Sequence, residues 1–207
     1  MSQEPSRVDR VLDVLERAVI VGLFGGLAVR LASSFSAGKA GDLLLLISEG
    51  LVVVFMLFRR PAREASREPI DWLMAFGATC APLLVSPTLG RPWLPETVGA
   101  SLLVMGTIVQ IHAKLALGRS FGCVAAHRGL KTAGPYRFVR HPMYAGYILS
   151  HVGFLALNPT WTNLWLYLAC DGLQIPRILA EERILARDAN YLAYKAEVKY
   201  RLFPRIF

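Results

Sequence analysis

The chain has 207 residues, is 54% hydrophobic and 18% charged, and combines a mean hydropathy of +0.42 with a net charge of +8. It is too apolar for an ordinary soluble domain, and its charges are bunched between long uncharged runs, a pattern that predicts an all-α integral membrane protein. Cys80, Cys123 and Cys170 form no CxxC pair and have no His-rich neighbourhood, so neither a disulfide framework nor a metal site is expected.

The polar start, with Glu4, Arg7, Asp9 and Arg10, does not read as a cleavable signal peptide. The first apolar segment runs from about Val11 to Phe35, with an uncharged, Gly-rich centre over Ala18–Val29. The second, Leu43–Phe58, carries Glu49 inside it, and the third, Trp72–Val85, is interrupted by Pro82, which predicts a kink or an early end. Val98–Leu117 is the fourth and Pro142–Leu157 the fifth; Asn158-Pro159-Thr160 then turns the chain into the sixth, Trp161–Ala180. About six membrane helices follow, with five as the alternative. Gly22, Gly26, Gly99 and Gly106 would let them pack closely. After Glu181, Ile184, Leu185, Tyr191, Leu192, Tyr194 and Val198 stand at helical spacing, which predicts a carboxyl-terminal amphipathic helix on the membrane surface. Trp72, Trp93, Trp161 and Trp165 read as interfacial anchors.

Orientation follows from the basic residues. With the amino terminus inside, only Arg30, Lys39 and Arg91 of the 23 lysines and arginines fall outside, and the other 20 fall inside. Both termini are therefore expected in the cytoplasm. The +8 charge is a topology signal and a contact for anionic lipids, and nucleic acid is not needed to explain it.

Two charged clusters stand at the ends of apolar segments, where charge is costly unless a ligand or partner needs it. In Arg140-His141-Pro142-Met143-Tyr144, Pro142 suits the first helical turn, so the fifth helix presents its free N–H groups to the loop as a seat for a carboxylate or phosphate. Arg140 and His141 add donors, and Gly146 permits close backbone approach. The second cluster lies at the end of the sixth helix. Arg177 and Glu181 share a helical face, able to pair with each other or with a zwitterionic ligand; Glu182 and Arg183 read as an ordinary ion pair where the helix reaches water. The tight turn at Asn158-Pro159 brings both clusters to one side. Glu49, His112 and Cys123 carry no assigned role, and His112 and His151 suit interhelical hydrogen bonds better than metal binding.

Gly134-Pro135-Tyr136, Arg140-His141-Pro142-Met143-Tyr144, Glu181-Glu182 and Tyr191 with Tyr194, in that order and spacing, resemble the isoprenylcysteine carboxyl methyltransferase family and, more loosely, membrane phospholipid methyltransferases. The resemblance covers roughly Leu117 to the carboxyl terminus. It departs from the eukaryotic pattern at Ala125-Ala126, where a glutamine is usual, and in a shortened stretch between Glu182 and Tyr191. The resemblance implies a cytoplasmic S-adenosylmethionine pocket lined by Gly129, Leu130, Lys131, Tyr136, Arg140, His141, Pro142, Met143, Tyr144 and Glu181. Arg177 and Glu181 would be the catalytic residues, Arg177 engaging the substrate. On this reading residues 1–117 are the amino-terminal membrane helices and 118–207 the cofactor-binding catalytic part of one integrated domain. The implied reaction is methylation of a lipophilic acceptor entering from the bilayer, foremost a carboxyl O-methylation of an isoprenylcysteine-like substrate, with a phospholipid amine or a thiol as alternatives. A different class stays open: membrane sterol reductases carry a similar Arg-His-Pro-x-Tyr stretch that engages NADPH. A non-enzymatic scaffold with a basic lipid-binding face would explain the charge but not the two clusters. Oligomeric state is not legible in the sequence.

Overall fold

The computed structural model describes residues 7–33, 40–86 and 91–206. The expectations that fall on Phe35 and Lys39, and on the Arg30 side chain, lie outside the described residues. Helices dominate: α1 (Arg7–Ser33), α2 (Ala40–Phe58), α3 (Pro69–Cys80), α4 (Glu96–Leu117), α5 (Pro142–Leu157), α6 (Trp161–Leu185) and α7 (Ala189–Glu197). Two short strands, β1 (Glu64–Ala65) and β2 (Ala126–His127), pair antiparallel, with Glu64 opposite His127 and Ala65 opposite Ala126. That ribbon ties the connection after α2 to the long loop after α4.

Local chemistry sets most boundaries. Pro69 and Pro142 stand in the first turns of α3 and α5, where a missing N–H is harmless. Pro82 ends α3, and the chain continues as a 3₁₀ turn over Ala81–Leu84. Thr160 caps α6 by accepting from the Asn163 N–H at 3.1 Å. The sixth helix runs on past Ala180, so Ile184 and Leu185 belong to it, and the expected amphipathic tail is the separate nine-residue α7, capped by Asp188.

The tightest packing joins α4 to α5. A Cβ on Gly106 would stand 2.8 Å from the Gly146 carbonyl, one on Gly146 would stand 2.9 Å from the Gly106 carbonyl, and one on Gly153 2.8 Å from the Gly99 carbonyl. Glycine pairs one heptad apart on each helix thus let the two backbones touch. Gly99 and Gly106 serve as the sequence suggested, whereas a Cβ on Gly22 or Gly26 would meet nothing within 4 Å among the described residues. Gly146 permits the close backbone approach expected of it, and the backbone that approaches is that of α4. Between α5 and α6, His151 Nδ1 and Asp171 Oδ1 lie 2.8 Å apart, the interhelical hydrogen bond expected of that histidine.

Polarity is inverted relative to a soluble domain. Glu16, Lys114 and Gln174 are among the most deeply buried side chains, while Trp161 (76% exposed), Val29 and Leu73 point outward. An apolar exterior around a polar interior suits a bilayer. Among the described residues one helix, Glu96–Ser120, is long and apolar enough to cross by itself; the apolar parts Leu46–Phe58, Pro69–Leu84 and Pro142–Leu157 are shorter. Trp93, Trp161 and Trp165 are exposed, but Trp72 packs inward and donates its indole N–H to the Ser66 carbonyl at 2.9 Å.

Candidate active site

The start of α5 and the end of α6 meet at one end of the bundle. The loop after α4 and helix α7 complete a cleft there, bordered by Gly129, Leu130, Lys131, Tyr136, Arg140, His141, Glu181, Tyr191 and Tyr194. Seven of the residues implied for the cofactor therefore share one cavity. Gly129 turns the loop into it at φ +101°, a conformation that side-chain-bearing residues rarely adopt. Pro142 and Met143 are buried behind it and do not border it. Tyr144 reaches it indirectly, donating its hydroxyl to Glu181 Oε2 at 3.1 Å.

The two adjacent glutamates have different surroundings. Glu181 keeps 31% of its side chain exposed, with His141 Nδ1 3.8 Å from its Oε2. Glu182, read from sequence as an ordinary ion pair in water, is buried and is the hub of the tail. It accepts from Arg140 Nε at 2.8 Å and from Arg201 Nε and Nη2 at 3.2 and 3.1 Å, with His141 Nε2 at 3.3 Å and Lys195 Nζ at 3.6 Å. Burial works to raise its pKa, but the hydrogen bonds from His141, Arg140 and Arg201 outweigh it and hold the carboxyl well below the ordinary carboxylate range. The rotation of about 100° between neighbours on a helix decides this: Glu182 faces the tail and Glu181 the cleft.

The tail after α7 is held by backbone hydrogen bonds on the α5 entrance. Arg140 N–H donates to the Tyr200 carbonyl at 2.9 Å and His141 N–H to the Arg201 carbonyl at 2.8 Å. Arg140 Nη1 also donates to the carbonyls of Val198 and Lys199, each at 2.7 Å. Tyr194 donates its hydroxyl to the Tyr136 carbonyl at 2.6 Å, and burial pushes its pKa up to about 12, so it stays a donor at physiological pH. Arg140 is thus committed to the tail through its backbone N–H and Nη1 and to Glu182 of α6 through Nε, more a fastener than a free ligand.

Arg177 is not paired with Glu181. Its Nε and Nη2 donate to the Cys123 carbonyl at 3.1 and 2.7 Å, and its guanidinium lies 5.1 Å from the centre of the Tyr144 ring. It fixes the loop after α4 and contacts the cleft through Tyr144. Glu49, left without a role, stands 4.0 Å from the buried Lys114 ammonium. His151, Cys170 and Asp171 bring donor atoms within 4.8 Å of one another, but the Cys170 thiol already donates to the Ala78 carbonyl at 3.1 Å. Sequence reasoning missed the roles of Glu182 and Arg128; the composition Arg140, Lys195, Arg201 around a single acid was the available signal.

Comparison with known proteins meets the same segment. The sequence model of the phospholipid methyltransferase family matches residues 95–188. Protein-S-isoprenylcysteine O-methyltransferase A of Arabidopsis thaliana is 33% identical over 76 residues, 34% of this chain and 39% of that protein. A probable protein-S-isoprenylcysteine O-methyltransferase of Oryza sativa subsp. indica is 33% identical over 86 residues, 38% of this chain and 45% of that one. The aligned chain thus spans less than half the length of these plant relatives. Among solved structures, the eukaryotic intramembrane Ras methyltransferase, an isoprenylcysteine carboxyl methyltransferase, superposes with a TM-score of 0.48 at 18% identity over 93% of this chain and 86% of that one. The fold is a helical bundle with an apolar exterior and a polar cleft at one end. By sequence, residues 95–188 are similar to the phospholipid methyltransferase family, and part of the chain is similar to plant isoprenylcysteine O-methyltransferases.

Proposed function

We propose that the chain is a membrane-embedded, S-adenosylmethionine-dependent methyltransferase acting on a lipophilic acceptor, foremost by carboxyl O-methylation of an isoprenylcysteine-like substrate. The observation that carries this reading is the convergence of Gly129–Lys131, Tyr136, His141 and Glu181 on one cleft within the matched half of the chain. The residues fit the methyl donor. Glu181 Oε1 carries no hydrogen bond among the described residues, and a half-exposed carboxylate suits an ammonium or ribose hydroxyl. Leu130, Leu185, Tyr136 and Tyr191 offer apolar walls for an aromatic ring. When bound, S-adenosylmethionine supplies an already activated methyl group.

What remains for the protein is alignment and exclusion of water. A carboxylate acceptor needs no general base, and the buried Arg177 beside Tyr144 supplies a positive field near the cleft in a low-dielectric setting. A phospholipid amine or a thiol would have to lose a proton, and Glu181 is the exposed acid at hand. Arg140 and Arg128 are both engaged by carboxylates, which leaves Lys131 as the basic side chain bordering the cleft without an assigned partner. That is poor provision for a polyanion such as NADPH. The acceptor enters laterally from the bilayer, both termini face the cytoplasm, six helices contribute to the membrane bundle, and the basic face contacts anionic lipids.

The test is titration of the purified protein with S-adenosylhomocysteine, followed by labelled S-adenosylmethionine with a whole-cell lipid extract and mass spectrometry of what gains a methyl group. His141→Ala and Glu181→Ala should each weaken S-adenosylhomocysteine by about tenfold or more, the loss of a charge-assisted hydrogen bond. Absence of binding, with both variants indistinguishable from the parent, would overturn the reading.

A further inference from the structure

A second polar cluster, which meets the cleft at Arg128, joins α1 to the loop after α4. Glu16 is 1% exposed. Its Oε1 accepts the N–H groups of Cys123 at 2.7 Å and Val124 at 3.0 Å, and its Oε2 accepts from Arg128 Nη2 at 3.1 Å. Arg59, just past the end of α2, approaches the same carboxylate at 2.9 Å and Asp13 at 2.7 Å. Two acids and the two guanidiniums of Arg59 and Arg128 therefore meet here, with Arg17 pairing Asp13 from the outer side at 3.1 Å. A buried carboxylate that also accepts two consecutive backbone N–H groups is well compensated only where those groups are held in place.

The loop is gripped from its other side as well. The carbonyl of Cys123, whose N–H goes to Glu16, accepts from Arg177 of α6. Arg128 lies where a Cβ of Gly122 would be, 2.7 Å from its Cζ, so the loop closes around that guanidinium. Its own carbonyl accepts from Ser120 Oγ at 3.1 Å. The next residues, Gly129, Leu130 and Lys131, enter the cleft. Glu16, Arg59 and Asp13 all lie outside the matched segment 95–188.

We propose that Glu16, acting through Arg128 and the Cys123–Val124 peptide, is a positioning residue for the methyl-donor cleft, and that α1 is a strut of that cleft and not only a membrane anchor. The proposal rests on the reading of the cleft under the proposed function. Arg177 is the matching positioning residue on α6: between them the two helices fix one peptide unit, and the cleft's loop wall depends on it. Neither residue needs to touch the methyl donor to set its affinity.

The test uses the whole chain with Glu16→Gln and, as the milder variant, Arg128→Lys, which keeps the charge and loses the planar fork. Two readouts are taken on each. Calorimetry with S-adenosylhomocysteine gives affinity and stoichiometry. Thiol labelling with site-resolved mass spectrometry compares Cys123, in the gripped peptide, with Cys170, which is fully buried in α6. The expected result is an affinity about tenfold weaker at unchanged stoichiometry, faster labelling of Cys123 and unchanged protection of Cys170. Protection of Cys123 or affinity unchanged in both variants would overturn the proposal. So would labelling of Cys123 and Cys170 together, which would mean that the cluster holds the bundle and not the loop. A parent protein that binds no S-adenosylhomocysteine refutes the reading of the cleft, while the labelling still decides the loop grip.

Discussion

Glu181 and Glu182 are consecutive and identical, yet one is a half-exposed side chain at a cleft and the other a buried junction for four basic partners. Removing the charge of Glu182 strands Arg140 in a buried setting, a change that costs about 3–5 kcal/mol for a broken buried pair. Glu182→Gln should therefore release the tail: proteolysis between Val198 and Arg205 becomes rapid, and the thermal midpoint falls in a circular-dichroism melt. Retained protection would show that Tyr194 and the backbone pairing of Arg140 and His141 suffice. The same carboxylate gives the tail a pH dependence. Its folded pKa is depressed below the ordinary 4.5, so its stabilisation is fully present above that value and is lost as pH falls below it. Tail proteolysis in the parent should accelerate below about pH 4.5, and in Glu182→Gln that acid step should be smaller.

At the scale of elements, the α4–α5 pair is the rigid part on which the cleft is mounted. Gly106 meets the backbone of Ser150 so closely that any side chain must push the helices apart, carrying His141 and Tyr144 with α5. Gly106→Ala should cost about 1–3 kcal/mol by overpacking, and Gly106→Leu more, while Gly22→Ala on open surface should be near neutral. Melting the three variants in one detergent checks the order; equal midpoints would remove the glycine contact from the account. These elements were legible because their signals are local. Pro142 fixed the start of α5, Pro82 the end of α3, and Asn158-Pro159-Thr160 the hairpin, each by backbone chemistry that neighbours cannot overrule. The cleft residues from Gly129 to His141 were legible through the order of the motifs. The partner of Arg177 was not legible, because spacing on a helix reports which side chains can meet, whereas the Cys123 carbonyl is brought by a loop whose path no periodicity encodes. Glu16 was invisible for the same reason: on α1 alone it is one more charge near a helix start.

For the whole molecule, the distribution of charge and of apolar surface makes one claim. The cleft, the tail and the Glu16 cluster lie at one end of the bundle. Trp93 and the start of α4, which follow Arg91, are held elsewhere, beside the end of α5, where the Trp93 N–H donates to the Ala156 carbonyl at 2.9 Å. Since α5 begins at the cleft with Pro142 and ends at Leu157, these two regions are its opposite ends. With 20 of 23 basic residues assigned to the cleft side, that side should be the cytoplasmic one. The orientation can be read with single cysteines placed in a chain whose Cys80, Cys123 and Cys170 are replaced by alanine. An impermeant maleimide applied to intact cells should label Arg91→Cys and leave Lys199→Cys unlabelled, and permeabilisation should expose the latter. The opposite pattern would place the cleft outside, away from the intracellular supply of methyl donor, and would count against the proposed chemistry as well as the topology. Labelling of both in intact cells would mean that the two regions share a side, and that α5 does not carry the chain across the bilayer.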